Sequence, residues 1–338
     1  MTTPSAYPAE APVPAPAAGA AGAGVPPAPP SDPRRGPAGR VLLVAGLALG
    51  GLLFAWGALH LVDWALSEIT TTREGYDAVA DLGLSTTGDV DVRADEDATG
   101  IDVEVVSRSG LVGPEYSVET VDGRLVLTNE CPAWAWFSWV CSGELHATVP
   151  AGTAVVAGTG NGDVSASGLD GGVELRSANG DVVAGVMGGD VLATSSNGDV
   201  VVDDVRGDVE ARTANGSLDL ARVEGRVTAR SSNGDVEVSD AGGAVVARSS
   251  NGAVEVSTAG GDVEARSTNG SVEVVGAAGD VLARTSNGAV TVVGDGEPVD
   301  LTISTSNGDE TIEGPTDPGA PRTVEIGSSN GDVAYLAP

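Results

Sequence analysis

Side chains that could carry out chemistry are few in this 338-residue chain, and most of them recur at a fixed spacing. Lysine is absent, and the histidines are His60 and His146. A glycosidase or lyase site needs convergent acids with shifted pKa values, usually beside a basic partner. Because the acids here repeat instead of converging at one place, the sequence favours a non-enzymatic protein over a carbohydrate-active β-helix enzyme.

Aspartates directly follow glycine in two repeating rows. The members are Asp163, Asp181, Asp199 and Asp235 in one row, and Asp190, Asp208, Asp262 and Asp280 in the other. Stacked carboxylates could hold Ca²⁺, which favours oxygen ligands. Ser217, Arg226 and Ala244 interrupt them, however, and the calcium-binding nonapeptide G-G-x-G-x-D-x-U-x is not matched. The sequence therefore favours solvated acids, and it predicts no metal site and no cofactor.

Six arginines share one position of the repeat, with Glu174, Glu210 and Glu264 on the same predicted face. These arginines are Arg176, Arg212, Arg230, Arg248, Arg266 and Arg284. They are interpreted as part of a solvated, mixed-charge surface. The whole chain carries a net charge of −31, which disfavours nucleic acid as a partner because such binding relies on neutralising phosphates.

Cys131 and Cys141 are the only two cysteines, and they are expected to form a disulfide outside the membrane. The loop between them contains Trp134, Trp136, Phe137 and Trp139. One interpretation is a hydrophobic plug over the first coil. The other is an exposed binding loop for a protein partner, a glycan or the membrane interface, since clustered exposed aromatics mark binding surfaces.

An apolar segment precedes all of these residues. Positions 41–59 contain no charge, which is about the length that crosses a ~30 Å hydrocarbon layer, and we assign residues 41–66 to a transmembrane helix. Arg34, Arg35 and Arg40 lie just before it, so a single-pass topology with a cytoplasmic N-terminus and an extracytoplasmic C-terminal domain is expected. A cleaved signal peptide is the alternative, but the long leader favours an uncleaved anchor.

The flanking residues 1–40 are rich in Ala, Pro and Gly, with few large apolar side chains. Such a segment has little to bury, so a disordered cytoplasmic tail is predicted.

An internal repeat of 18 residues dominates the rest of the chain. Asn-Gly pairs begin at Asn161, Asn179, Asn197, Asn215, Asn233, Asn251, Asn269 and Asn287. A second row of glycines falls midway, so that glycine recurs every nine residues from Gly162 to Gly288. Two residues after each glycine comes an apolar residue, nearly always Val, and two further on another apolar one. Alternation with period 2 predicts two short strands per repeat.

The predicted fold class is all-β: a parallel β-solenoid of 18-residue coils, preceded by the transmembrane helix and the tail. Stacked coils would bring each turn Asn onto the next, forming a structural ladder. Glycine is expected to supply a positive φ at each corner. An antiparallel meander is the alternative, because Asn-Gly is also a hairpin signal, but a single-layer sheet would leave its apolar face in water.

Less regular β sequence flanks the repeat. Residues 67–160 are predicted to form N-terminal coils and a cap containing the cysteine loop, residues 161–296 the regular solenoid, and residues 297–338 irregular C-terminal coils and a cap. Pro298, Pro315, Pro318 and Pro321 interrupt this last part, as is usual for terminal repeats.

Three parts of the sequence resemble the bacterial putative-adhesin domain of unknown function. They are the strand set of residues 76–130, the Leu-His-Ala-Thr-Val-Pro-Ala-Gly stretch at 145–152 and the Asn-Gly-Asp-Val repeats. That resemblance covers roughly residues 76–338 and implies an exported or membrane-anchored β-strand-repeat protein without catalytic residues. The expected function is display of an acidic solenoid for adhesion, partner binding or scaffolding. The alternative is envelope sensing, with the solenoid as sensor and the cytoplasmic tail as reporter.

Overall fold

The computed structural model describes residues 37–135 and 137–338, with side chains from Val41 onward. The predicted disordered tail lies outside the described residues, apart from its last four, and so does Trp136. Helix α1 extends over Pro37–Ala65 and thus begins within the segment assigned to the tail. Proline suits the first helical position, because the amide hydrogen that it lacks has no partner there.

Helix α1 is apolar and exposed. Its stretch Val41–Ala65 has 25 residues and a mean hydropathy of 2.1, and it is the one helix among the described residues that is long and apolar enough to cross a membrane. A helix that is apolar on all sides is typical of a buried or membrane-spanning segment.

The strands before the repeat form the N-terminal part. They are β1 (Glu68–Asp77), β2 (Asp81–Thr86), β3 (Val90–Asp95), β4 (Gly100–Ser109), β5 (Glu115–Val121), β6 (Arg124–Glu130) and β7 (Ser142–Pro150).

Sixteen strands of four to seven residues follow as the regular array. They are β8 (Ala154–Thr159), β9 (Val164–Ser167), β10 (Val173–Ser177), β11 (Val182–Met187), β12 (Val191–Ser195), β13 (Val200–Val205), β14 (Val209–Thr213), β15 (Leu218–Val223), β16 (Val227–Ser231), β17 (Val236–Ala241), β18 (Val245–Arg248), β19 (Val254–Ala259), β20 (Val263–Arg266), β21 (Val272–Ala277), β22 (Val281–Asn287) and β23 (Val290–Val293). The last four are β24 (Asp300–Asn307), β25 (Glu310–Ile312), β26 (Thr323–Asn330) and β27 (Val333–Leu336).

Two parallel sheets confirm the solenoid and exclude the meander. Odd-numbered strands of the array stack in one sheet of 14 strands, and even-numbered strands stack in another of 13. Val236 pairs with Val254 and Val245 with Val263, so residues 18 apart are direct neighbours in both sheets. Antiparallel pairing occurs at the N-terminal end, where β4 pairs with β1 and β7, and β5 pairs with β6.

The narrow core contains the small side chains that the sequence predicted. Val236 and Val238 of one sheet face Val227 and Ala229 of the other, and all four are at most 1% exposed. A third inward column, which the sequence analysis missed, follows in the first sheet: Leu169, Met187, Val205, Val223, Ala241 and Ala259. Each coil therefore buries more apolar surface than the two predicted positions per strand would provide.

The repeat glycines are required for a different reason from the one predicted. Gly180 and Gly234 do not have the positive φ that we expected at each corner. A Cβ atom on Gly234 would instead overlap the carbonyl oxygen of Gly216 in the preceding coil. Close stacking of backbone on backbone, not a left-handed corner, excludes side chains from this column.

Five non-glycine residues with positive φ angles lie in a separate column, at a bulge in β11, β13, β15, β17 and β19 of the first sheet. They are Val186, Asp204, Arg222, Asp240 and Thr258, with φ between 51° and 61°. Gly168 and Gly276 occupy the same column at its two ends. The pairing passes over this position: Asp203 pairs with Ala221 and Val205 with Val223. Such a bulge bends the strand and turns the next side chain into the core.

Both ends of the array reverse the order of the chain. At the C-terminal end β26 and β27 pair directly with β22 and β23, whereas the earlier strands β24 and β25 lie outermost. At the N-terminal end β2 and β3 lie next to the array, and the later strands β6 and β7 lie outside them. The C-terminal strands are consequently held between two coils, and Tyr335 of β27 is fully buried there.

Candidate functional site: the disulfide loop and the helix end

The cysteine loop connects β6 to β7 near the N-terminal end of the array. The Cα atoms of Cys131 and Cys141 lie 6.0 Å apart, and the pair is disulfide-bonded. Within the loop Ala135 is buried, while Trp134 is 62% and Trp139 77% exposed. The rings of Trp134 and Phe137 are 6.2 Å apart. The indoles of Trp134 and Trp139 therefore lie at the surface of the molecule.

Asp63, in the last turns of α1, is the centre of the polar contacts to this loop. Its carboxylate is 1% exposed and accepts hydrogen bonds from the backbone amides of Trp139 (2.9 Å) and Val140 (3.3 Å) and from the Ser138 hydroxyl (3.0 Å). A fourth hydrogen bond, of 2.7 Å, comes from the amide of Leu111. Burying a carboxylate without such donors would be strongly unfavourable. The burial of Asp63 and the position of the loop therefore depend on each other.

The same helix end makes an aromatic contact. The rings of His60 and Trp139 have their centroids 4.6 Å apart. Gly110 approaches Asp63 so closely that a Cβ atom there would overlap the carboxylate. Sequence reasoning did not identify Asp63 as a contact residue. A lone acid at the end of an apolar helix was the available signal, because such residues are costly unless they have a partner.

The turn Asn residues form the ladder that the sequence predicted. Each Nδ2 donates to the Oδ1 of the Asn one coil earlier, at 2.7–3.0 Å from Asn179 to Asn287. The ladder then continues to Asn330 before Asn307, which follows the reversed order of the last coils. Its role is to connect successive turns.

A buried hydroxyl two residues before each Asn completes the turn, and the sequence analysis missed it. Ser231 Oγ accepts from the amide of Gly234 at 2.9 Å and donates to the carbonyl of Gly216 at 3.0 Å. Equivalent hydroxyls belong to Ser177, Ser195, Thr213, Ser249 and Ser267. The motif Ser/Thr-x-Asn-Gly, which is present at every Asn-Gly turn from Thr159 onward, was the sequence signal for this hydroxyl.

The acids after glycine are also structural. Asp163 Oδ1 accepts the backbone amide of Asp181, and Asp181 Oδ1 that of Asp199, both at 2.8 Å. On the other edge Asp190 accepts the amide of Asp208 at 2.9 Å. Among the described side chains no group of three or more His, Cys, Asp and Glu is placed to hold a metal ion.

The arginine row is paired with glutamates on the surface of the second sheet. Glu264 lies between Arg248 (2.6 Å) and Arg266 (2.9 Å), and Glu210 contacts Arg212 and Arg230. Since these groups are substantially exposed, each pair contributes about 0–1 kcal/mol. The arrangement offsets repulsion along the row.

His146 is the histidine of the β domain and lies between two acids, because its register partners are Asp91 on β3 and Glu104 on β4. Its Nδ1 lies 3.9 Å from Asp91 Oδ2 at the surface. Nearby, Tyr76 hydrogen-bonds Tyr116 at 2.7 Å and also donates to Glu74. Burial, followed by these hydrogen bonds, raises the pKa of Tyr76, so this phenol stays neutral. Neither group pairs a nucleophile with a base in catalytic geometry.

Comparison with known proteins connects this architecture to a family. The toastrack DUF4097 family matches residues 137–313, just over half of the chain. Curated proteins gave no match.

Several solved structures match most of this chain at low identity. One, described as a putative adhesin from Bacteroides fragilis, is 14% identical with a TM-score of 0.34 over 80% of this chain and 97% of that one. Another, described as a putative lipid binding protein from Parabacteroides distasonis, is 10% identical with a TM-score of 0.36 over 79% and 96%. By its family match, the chain belongs to the toastrack DUF4097 family.

Proposed function

We propose that this is a non-enzymatic cell-envelope protein that displays an acidic β-solenoid outside the membrane for adhesion, partner binding or scaffolding. Helix α1 crosses the membrane once, with the N-terminus in the cytoplasm. The observation that carries the proposal is the combination of an apolar 25-residue helix segment with a long array whose polar side chains repeat and satisfy one another. Repeated polar side chains provide an extended surface, whereas a catalytic site requires a local group of residues that departs from the repeat.

Two further observations support an extracytoplasmic location. The cysteines are bonded to each other, and disulfides persist mainly in oxidising compartments. Arginines, and no acids, lie in the eight residues before Val41, as expected for a flank that stays in the cytoplasm. The protein or glycan that the array contacts would be selected by surface shape and charge, with nucleic acid disfavoured.

Labelling of cysteines in intact cells tests this topology. Ser250→Cys places a thiol at an exposed turn, and Ser5→Cys places one in the tail. A membrane-impermeant maleimide should modify the first variant in intact cells and the second only after lysis. Labelling of Ser5→Cys in intact cells, or of Ser250→Cys only after lysis, would contradict the proposal.

The contact between Asp63 and the disulfide loop favours envelope sensing as a second candidate. Because the helix end and the β domain are joined by four hydrogen bonds, a load on the solenoid would reach the helix directly. Deleting residues 2–33 distinguishes the two functions, since adhesion or scaffolding should survive the loss of the tail. A transcriptional or enzymatic response to envelope stress should not.

A further inference from the structure

We propose that the disulfide loop is a membrane-interface anchor, with Trp139 lying among the phospholipid headgroups of the same membrane that α1 crosses. This inference depends on the transmembrane assignment proposed above. It identifies the occupant of the exposed aromatic surface as lipid, and not as a glycan or a second protein.

The loop is attached to the helix end by hydrogen bonds. Asp63 accepts hydrogen bonds from three successive loop residues, Ser138, Trp139 and Val140. The disulfide closes the same loop, so its backbone has little freedom to move away. Wherever the outer end of α1 lies, residues 138–140 must lie beside it.

The contact of Trp139 with the helix indicates how deep the loop lies relative to the membrane. His60 and Asp63 are the first ionisable side chains after Arg40, so they mark the outer part of the apolar segment. The ring of Trp139 is 4.6 Å from the ring of His60. Indole rings concentrate at membrane–water interfaces, where the apolar body and the N–H group each find a suitable environment.

The surface around the helix end is mostly apolar. Residues 131–143 carry no charge, although the chain as a whole has a net charge of −31. Exposed apolar side chains around the helix end include Leu61, Trp64, Leu66, Ile69 and Leu111. Leu111 is tied to this place by its amide hydrogen bond to Asp63. Charged side chains beside this rim include Glu68 and, on the paired strand, Arg108, whose charges offset each other. A mostly apolar, aromatic-rich rim of this kind on an acidic protein suits contact with headgroups, since it limits repulsion by anionic lipid.

Depth-dependent fluorescence quenching tests the inference on the full-length chain reconstituted in phosphatidylcholine vesicles. In one variant Trp139 remains and the other four tryptophans become Phe; in a second, only Trp56 remains. Lipids brominated near the headgroup end of the acyl chains should remove about half of the Trp139 emission, and lipids brominated near the chain end much less. Aqueous iodide should quench Trp139 only weakly.

The Trp56 variant separates failure of this inference from failure of the proposed function. Quenching of Trp56 by brominated lipid, together with a Trp139 that responds only to iodide, would overturn the interface anchor and leave the span intact; a glycan or protein partner would then be indicated. If neither tryptophan responds to brominated lipid, both proposals fail. Should the multiple variants fold poorly, the single change Trp139→Phe in the otherwise native chain gives the Trp139 quenching by subtraction.

Discussion

Each repeat glycine of the array lies against the backbone of the coil before it. The carbonyl oxygen of Gly216 occupies the space where a side chain on Gly234 would begin. Gly185, by contrast, has open space where a Cβ atom on it would lie. The two glycines therefore provide a matched test of close backbone stacking.

Replacing Gly234 by Ala should lower the free energy of unfolding by about 2–3 kcal/mol, because the added methyl group forces adjacent coils apart. Gly185→Ala should be neutral or slightly stabilising, since Ala restricts the unfolded chain at no steric cost. Chemical denaturation followed by circular dichroism measures both. Equal effects of the two substitutions would contradict the stacking explanation.

Val186 occupies the left-handed position of the bulge, with a φ of 55°. A β-branched residue is strained there by about 1–2 kcal/mol, whereas glycine is not. Val186→Gly should therefore raise the free energy of unfolding by about 1 kcal/mol, despite the greater entropy of glycine in the unfolded chain. The control Val183→Gly, in an ordinary strand position, should lower it; stabilisation by both changes would argue against the bulge strain.

Residue types alone did not distinguish these two glycine-compatible columns. The period of nine identified the stacked glycines, but stacking and a positive φ both favour glycine, and we predicted the wrong one of the two causes. Four different residue types fill the bulge column between Gly168 and Gly276, so no sequence signal marked it. The Asn ladder was predictable because every member is the same residue in the same place.

At the scale of elements, the helix end and the disulfide loop form one unit through Asp63. Its partners are 48 to 77 residues away in sequence, so no local pattern could have predicted the contact. The cysteine pair and the apolar helix were both predictable, because spacing and composition specify them.

Removal of the Asp63 side chain should loosen the loop and leave the sheets intact. In Asp63→Ala the amides of Leu111, Trp139 and Val140 lose their acceptor, and we expect their hydrogen exchange to accelerate at least tenfold, equivalent to about 1.4 kcal/mol of lost protection. Exchange in β13–β19 should not change. Asp77→Ala, which removes an exposed acid, is the control, and unchanged exchange at Trp139 in the Asp63 variant would refute the clamp.

Arg322, just before β26, connects the C-terminal end to the rest of the array. It donates hydrogen bonds to Asp295 at 2.7 Å and to the carbonyl of Ala277 at 3.2 Å. The Arg322 hydrogen bond holds the pKa of Asp295 below its ordinary value. A group whose folded pKa is lowered contributes stability that is present above the unfolded pKa and lost as pH falls through the folded one.

Stability of the C-terminal end should therefore depend on pH through Asp295. At neutral pH, Asp295→Asn should unfold at lower denaturant than wild type, and the difference should vanish as the pH falls below about 4 toward the lowered pKa. Denaturation midpoints across this range provide the measurement. A difference that persists unchanged in acid would show that the charge of Asp295 is not its source.

At the scale of the molecule, the array is a stack of interchangeable coils with a reversed order at each end. The stacking followed from the 18-residue period, which places like residues on one another. The reversal did not, because the coils containing Asn307 and Asn330 have the same turn signature and either could have been outermost. The reversal places β26 and β27 between two coils and leaves β24 and β25 as the edge strands of the two sheets.

One complete coil consists of 18 residues, and internal deletions of one coil and of half a coil test this periodicity. Removing residues 236–253 takes out one coil and rejoins Asp235 to Val254, which preserves every column. Removing residues 236–244 takes out half a coil and moves each later strand to the opposite sheet. Thermal unfolding should remain cooperative in the first variant, within a few degrees of wild type, and should be lost or sharply lowered in the second. Equal tolerance of both deletions, or collapse of the first alone, would contradict the account.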